Sequence, residues 1–203
     1  MDEKTLQLTA KMHKAISIIQ FKEEARIFRR RPEWQMQDRC LLEAIDAERG
    51  VCSIGGKEYK MKSCHFPTGF TELTPEEDVL MQKLHHSFRV SEKLRKHIRT
   101  ILSHGCMYTI CNSNLLFHAS VPLNEDGSLK DVEIKGRRYQ GKELMSYIGQ
   151  LVRAAFENDT EPDLKAYAKD YFLYLWCGKY SHLFDKSKMA TFERYFLFDK
   201  ETF

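Results

Sequence analysis

Few side chains in this sequence have both the type and the setting for chemistry. The clearest is His118, which closes the apolar run Leu115-Leu116-Phe117 shortly before Pro122. An imidazole at a strand end, facing a loop, is a common way to present a metal ligand. A histidine at a sheet edge, hydrogen-bonded to backbone, fits the same spacing. Lys179, Lys188 and Arg194 follow a second apolar run, residues 171–176. Each can hold a phosphate through charge-assisted hydrogen bonds, or stand as a surface cation. Glu193 and Arg194 can also pair with each other or with neighbours. His85 and His86 are adjacent, so on a helix they point about 100° apart and do not easily share one metal. Six cysteines occur without a Cys-x-x-Cys pair. Cys64-His65 and Cys106/Cys111 fit no common zinc spacing. There is no nucleophile triad, no Gly-rich phosphate loop and no paired acid for glycosidic work. Ser120 and Ser181 have no visible partner.

The elements that must position these groups follow from the hydrophobic pattern. Residues 3–31 read as one long helix, with Leu8, Met12, Ala15, Ile18, Phe21, Ala25 and Phe28 as an apolar stripe. Arg29-Arg30-Arg31 lie at its end, where cations favour the dipole, and Pro32 stops it. The arginines read either as a solvated helix end or as a phosphate or nucleic-acid contact. Residues 36–48 read as a shorter helix closed by Gly50. A hairpin turns at Gly55-Gly56. Thr74-Pro75-Glu76-Glu77 is a helix start with a capping box, and Ser91 caps the next helix, which stops at Gly105.

Tyr108-Thr109-Ile110-Cys111 and Leu115-Leu116-Phe117 read as two strands around Asn112-Ser113-Asn114. A turn at residues 124–127 and a hairpin around Lys135-Gly136 follow. A helix over 140–157 and another over 163–170 come next. The run 171–176, ended by Gly178, has the length and aromatic content of a buried strand. On this reading a crossover returns the chain to the sheet that carries His118.

Composition is globular, with 42% hydrophobic and 12% aromatic residues. A net charge of +3 gives no global field for nucleic acid. From residue 83 to 99 there are six Lys or Arg against one acid, together with His85, His86 and His97. This basic face reads as solvated helix surface or as a means of steering an anionic ligand. No apolar run is long enough to span a membrane, and the charged N-terminus lacks a signal core. A cytoplasmic protein with free thiols, several of them buried, is expected.

The wording of LLFHASVPLNEDG resembles a motif of the class III, manganese-dependent bacterial fructose-1,6-bisphosphatases. These belong to the calcineurin-like metallophosphoesterase superfamily. SEKLRKHIRTILSHGCMYTICNSN before it, and DYFLYLWCGKYSHLF and KMATFERYFLFDKET after it, are similar to that family in order and spacing. So are KMHKAISIIQFKEEARIFRRRPEW and the Gly55-Gly56 hairpin, so the resemblance covers nearly the whole chain. It implies that His118 is a metal ligand, contributing to a two-metal Mn2+ site. The implied reaction is hydrolysis of D-fructose 1,6-bisphosphate to fructose 6-phosphate and phosphate, in gluconeogenesis. Family members are much longer. Their Asp-x-His, Gly-Asp-x-x-Asp-Arg, Gly-Asn-His-Asp and late Gly-His motifs are absent here. The chain is therefore expected to be an internal fragment, inactive alone.

The expected fold is α/β, or α+β within the fragment. Residues 1–105 read as a helical insertion with a small hairpin. Residues 106–203 read as part of a metallophosphoesterase β-sandwich core. The expected partners are a sugar bisphosphate and the remainder of the enzyme chain, without nucleic acid or membrane. A homo-oligomer stays open. A non-catalytic interaction module, a remnant of the enzyme, is the alternative reading.

Overall fold

The computed structural model describes residues 2–62, 66–67, 69–184 and 186–199. In chain order the elements are α1 (Glu3–Arg30), β1 (Ile45–Asp46), β2 (Val51–Ile54), β3 (Lys57–Lys60), α2 (Pro75–Val90) and α3 (Glu92–His104). Then follow β4 (Tyr108–Cys111), β5 (Asn114–Phe117), β6 (Val132–Ile134), β7 (Arg137–Tyr139), α4 (Gly141–Ala154), α5 (Pro162–Cys177) and α6 (Thr191–Phe196). All strand pairings among the described residues are antiparallel, in sheets β1-β2-β3, β4-β5 and β6-β7. The class is α+β. Two compact units form, one running up to Ser87 and resuming from Ala190, the other covering Phe88–Met189. No helix among the described residues is long and apolar enough to cross a membrane.

In the first unit, Asp2 caps α1 by accepting from the Thr5 N–H at 2.7 Å. Only the second half of the predicted stripe is core. Ala25 and Phe28 are buried and Ile18 and Phe21 pack half-buried against the core, whereas Leu8 and Met12 are 59% and 63% exposed. The helix expected over 36–48 does not form. Gln35 takes a left-handed conformation (φ 53°), and a single 3-10 turn, Gln37–Arg39, follows. Leu41 and Leu42 are both buried. Ile45 instead pairs with Cys52 at the sheet edge.

The predicted hairpin is present, with Gly55 and Gly56 at φ 58° and 78°, as a two-residue turn of its twist requires. Leu41, Leu42, Cys52, Tyr59 and Met61 pack with Phe192, Phe196 and Leu197 in one cluster. Burial pushes the Cys52 thiol up to about 11, so it is an inert core group. Cys40, Cys52 and Cys177 are buried, Cys106 and Cys111 exposed; Cys64-His65 lies outside the described residues.

Charges tie this unit together. The Glu193 side chain is fully buried and meets Arg39 at 2.8 Å, not Arg194. Lys22 meets Glu77 at 2.6 Å. Glu77 also completes the predicted capping box, accepting from the Thr74 N–H at 2.8 Å while its own N–H donates to Thr74 Oγ1. Arg29 bonds Glu43 and Glu72, which accounts for one of the three arginines.

In the second unit, Ser91 caps α3 as predicted. The unit's core is α4 against α5 with the β6–β7 hairpin beside them. Val132 and Ile134 point inward and Glu133 outward. Tyr139 stacks on Tyr147 at 4.3 Å. Leu144, Ile148 and Tyr171 are at most 2% exposed.

Residues 171–176 are not a strand. They continue α5, which runs unbroken from Pro162 to Cys177. Tyr167, Ala168, Tyr171, Tyr174 and Leu175 are all buried, at helical spacing, and Tyr171 stacks between Tyr167 and Tyr174. Phe172 and Trp176 on the other side are 39% and 65% exposed. The run looked strand-like because it is apolar on every side. No glycine or proline separates it from the helix before it. The expected crossover into the His118 sheet is therefore absent.

Candidate functional site

β4 and β5 pair residue for residue, from Tyr108↔Phe117 to Cys111↔Asn114. The turn is Asn112-Ser113 alone, with φ of 49° and 63°; Asn114 already belongs to β5. Asparagine tolerates the left-handed region, and a two-residue turn of this hand matches the strand twist. His118 is the first residue past β5, and it is exposed.

Both ends of this hairpin are anchored in the packed part of the unit. At the leading end, Arg153 of α4 donates through Nη2 to Gly105 O at 2.9 Å and through Nη1 to Gly149 O at 3.1 Å. At the trailing end, the Ala119 and Ser120 N–H groups both donate to His182 O, at 3.1 and 3.3 Å. Ser120 Oγ donates to Ser181 O at 3.3 Å. The His182 ring closes the circuit, with Nδ1 2.9 Å from Ser120 O. Ser181 Oγ in turn donates to Leu175 O in the last turn of α5, at 2.7 Å. The loop can fold back this tightly because residue 178 is glycine. A Cβ there would lie 2.5 Å from Tyr174 O and 2.7 Å from the Tyr174 ring.

His182 is 1% exposed. Desolvation pushes its pKa below the ordinary value, opposed by the bond to Ser120 O. Its Nε2 is buried with no hydrogen-bond partner among the described residues. Beyond the clamp, Pro122 is buried and its carbonyl accepts from Lys130 N–H at 3.0 Å. The predicted turn at 124–127 closes with Gly127 at φ 82°. Ser128 donates twice to Asp126, side chain first, which holds that carboxyl below its usual range.

The predicted site residues are divided between the two units. Lys179 is exposed, its Nζ 5.4 Å from the Tyr180 ring, and Lys188 is half-buried in the same unit as His118. Arg194 belongs to the other unit. It is exposed on α6, and its carbonyl accepts from Lys62 Nζ at 2.9 Å. His85, His86 and His97 are exposed on α2 and α3. Among the described residues no three His, Cys, Asp or Glu side chains are grouped to hold a metal ion. A single exposed imidazole at a strand end fits one corner of a metal site and no more.

Sequence reasoning missed His182, and it left Ser120 and Ser181 without a partner, whereas Ser120 Oγ in fact donates to Ser181 O. The one local signal of Ser181 and His182 is a position just after Gly178. The strand end they meet lies about sixty residues earlier, at a separation of 62 for the His182–Ser120 bond.

No solved structure matches this chain. A fructose-1,6-bisphosphatase class 3 of Phocaeicola vulgatus is 56% identical over 203 residues, which is 98% of this chain and 30% of the relative. One of Parabacteroides distasonis is 53% identical and one of Clostridium botulinum 47% identical; each match takes in 100% of this chain and 31% of the relative. The chain thus spans about 30% of the length of the curated relatives it matches. The family model described as Firmicute fructose-1,6-bisphosphatase matches residues 1–203 from end to end. The chain belongs to the Firmicute fructose-1,6-bisphosphatase family.

Proposed function

We propose that this chain contributes to a cytoplasmic fructose-1,6-bisphosphatase, and that His118 supplies one ligand of its metal site. The observation that carries the reading is the end-to-end family match, with His118 exposed on an anchored strand end. The substrate is D-fructose 1,6-bisphosphate and the metal Mn2+, which accepts mixed nitrogen and oxygen ligands. Two such cations, when bound, lower the pKa of a water and neutralise charge on the phosphoryl oxygens.

This chain's own part is narrower. The His118 imidazole offers one nitrogen lone pair to a metal ion. Lys179, Lys188 and Arg194 are the candidate phosphate contacts, through charge-assisted hydrogen bonds. The remaining metal ligands come from elsewhere in the enzyme. Residues 1–105 are read as the helical insertion and 106–203 as part of a metallophosphoesterase sandwich, with β4–β5 joining a larger sheet.

The test is His118→Ala in the full-length enzyme. Phosphate release from fructose 1,6-bisphosphate should fall to background. The variant should remain folded and unfold cooperatively, as the wild type does. Turnover at the original rate would sink the assignment. The non-catalytic alternative draws on exposed Leu8, Met12 and Leu116 as docking surface. It predicts that no enzyme containing this sequence releases phosphate from the sugar bisphosphate.

A further inference from the structure

We propose that His182 is a positioning residue for the metal ligand: its imidazole clamps the strand end from which His118 projects. The inference rests on the reading of His118 as a ligand.

Residues 119 and 120 directly follow His118, and both donate to the carbonyl of His182. Those two bonds belong to the backbone and would survive most substitutions at 182. The side chain adds one bond, from Nδ1 to Ser120 O at 2.9 Å. A carbonyl can only accept, so Nδ1 carries the proton and Nε2 is left with its lone pair. That Nε2 is buried without a partner among the described residues. An apolar side chain of similar size would fill the space without this cost. What the imidazole supplies is therefore the Ser120 bond. Through Ser181, which bonds both Ser120 Oγ and Leu175 O, the clamp is rooted in the last turn of α5. The body of the hairpin has no such support, since Leu115 and Leu116 are about half exposed (50% and 52%). Within this unit the position of His118 is set at the hairpin's ends. Outer groups that orient metal ligands typically change metal affinity 10- to 100-fold when lost.

Four proteins test this: the full-length enzyme and its His182→Leu, His182→Asn and His118→Ala variants. Mn2+ binding is followed by the electron paramagnetic resonance of free Mn2+, alongside kcat, KM and thermal unfolding. His182→Leu should weaken Mn2+ binding about 10-fold or more and lower kcat, with KM for the sugar bisphosphate little changed. His182→Asn keeps an N–H near Nδ1 and should recover most of both. Wild-type Mn2+ affinity in His182→Leu, with His118→Ala losing a Mn2+, overturns the His182 role alone. Unchanged Mn2+ binding in His118→Ala overturns the ligand reading and this inference with it. If His182→Leu does not fold, His182→Gln, whose amide reaches the Nε2 position rather than Nδ1, removes the same bond; wild-type Mn2+ affinity there overturns the inference.

Discussion

The hairpin β4–β5 and the module of β6–β7 with α4 and α5 lie in one unit and are built in opposite ways. In the module, Ile134, Leu144 and Ile148 are at most 1% exposed. In the hairpin, Ile110 is 63% exposed, Leu116 52% and Phe117 41%. β6 alternates inward and outward as a strand with one covered face should, whereas every residue of β5 is exposed. Two strands without a packed face are marginal in water, and a contiguous apolar patch of this kind marks a surface meant for contact. The difference teaches that the candidate ligand rides on the element this chain packs least. The chain fixes the hairpin at its ends, through Arg153 and His182, and leaves its body uncovered. Relatives more than three times as long have ample material to cover it.

The largest expected effect lies in the module. Leu144→Ala empties a fully buried site between α4 and α5, and should cost about 2–5 kcal/mol of unfolding free energy. Urea unfolding of the 203-residue chain measures it. A loss under about 1 kcal/mol would mean the module is no better packed than the hairpin, and the comparison would fail.

Alkaline pH gives a smaller effect from the same module. Burial pushes the Tyr174 hydroxyl up to about 12 and Tyr171 well above its ordinary value. Both folded pKa values exceed those of the unfolded chain, near 10. The folded state therefore holds protons that the unfolded state has released. Stability is intact below pH 10 and declines as pH rises towards 12, by roughly 1.4 kcal/mol per unit for Tyr174. Tyr174→Phe should make the decline shallower and leave the share due to Tyr171. Phenolate absorbance that appears without unfolding would show these rings to be solvated, and would break the comparison from the other side.

How much of this was legible in sequence depended on how far each signal reached along the chain. The capping box at Thr74, the cap at Ser91 and the turns at Gly55-Gly56 and Lys135-Gly136 are written within a few residues, and all are found. His118 at a strand end is equally local. The run 171–176 failed because an apolar set on all sides hides the 3.6-residue period, which shows only when Tyr167 and Ala168 are counted in. Residues 36–48 failed because the left-handed turn at Gln35 and the pairing of Ile45 with Cys52 outweigh helix propensity. The clamp of His182 on Ser120 was invisible, since no local pattern says which loop meets which strand end. The first half of α1 has the right stripe, and nothing within its unit buries Leu8 or Met12.

The smallest expected effect is the sharpest test of the comparison. Leu116 faces Thr109 across the hairpin and is 52% exposed. In the 203-residue chain, Leu116→Ala removes little buried surface and should change the unfolding free energy by no more than about 0.5 kcal/mol. In a full-length enzyme of the family the same substitution should cost about 2–5 kcal/mol, as for a buried leucine, because there the hairpin's apolar body has a neighbour. Urea unfolding of both proteins gives the two numbers, and their difference measures how much of the hairpin's burial comes from outside this chain. Equal, near-zero costs in both would mean that the hairpin stands uncovered in the whole enzyme too. Its end clamps alone would then have to hold His118 in place.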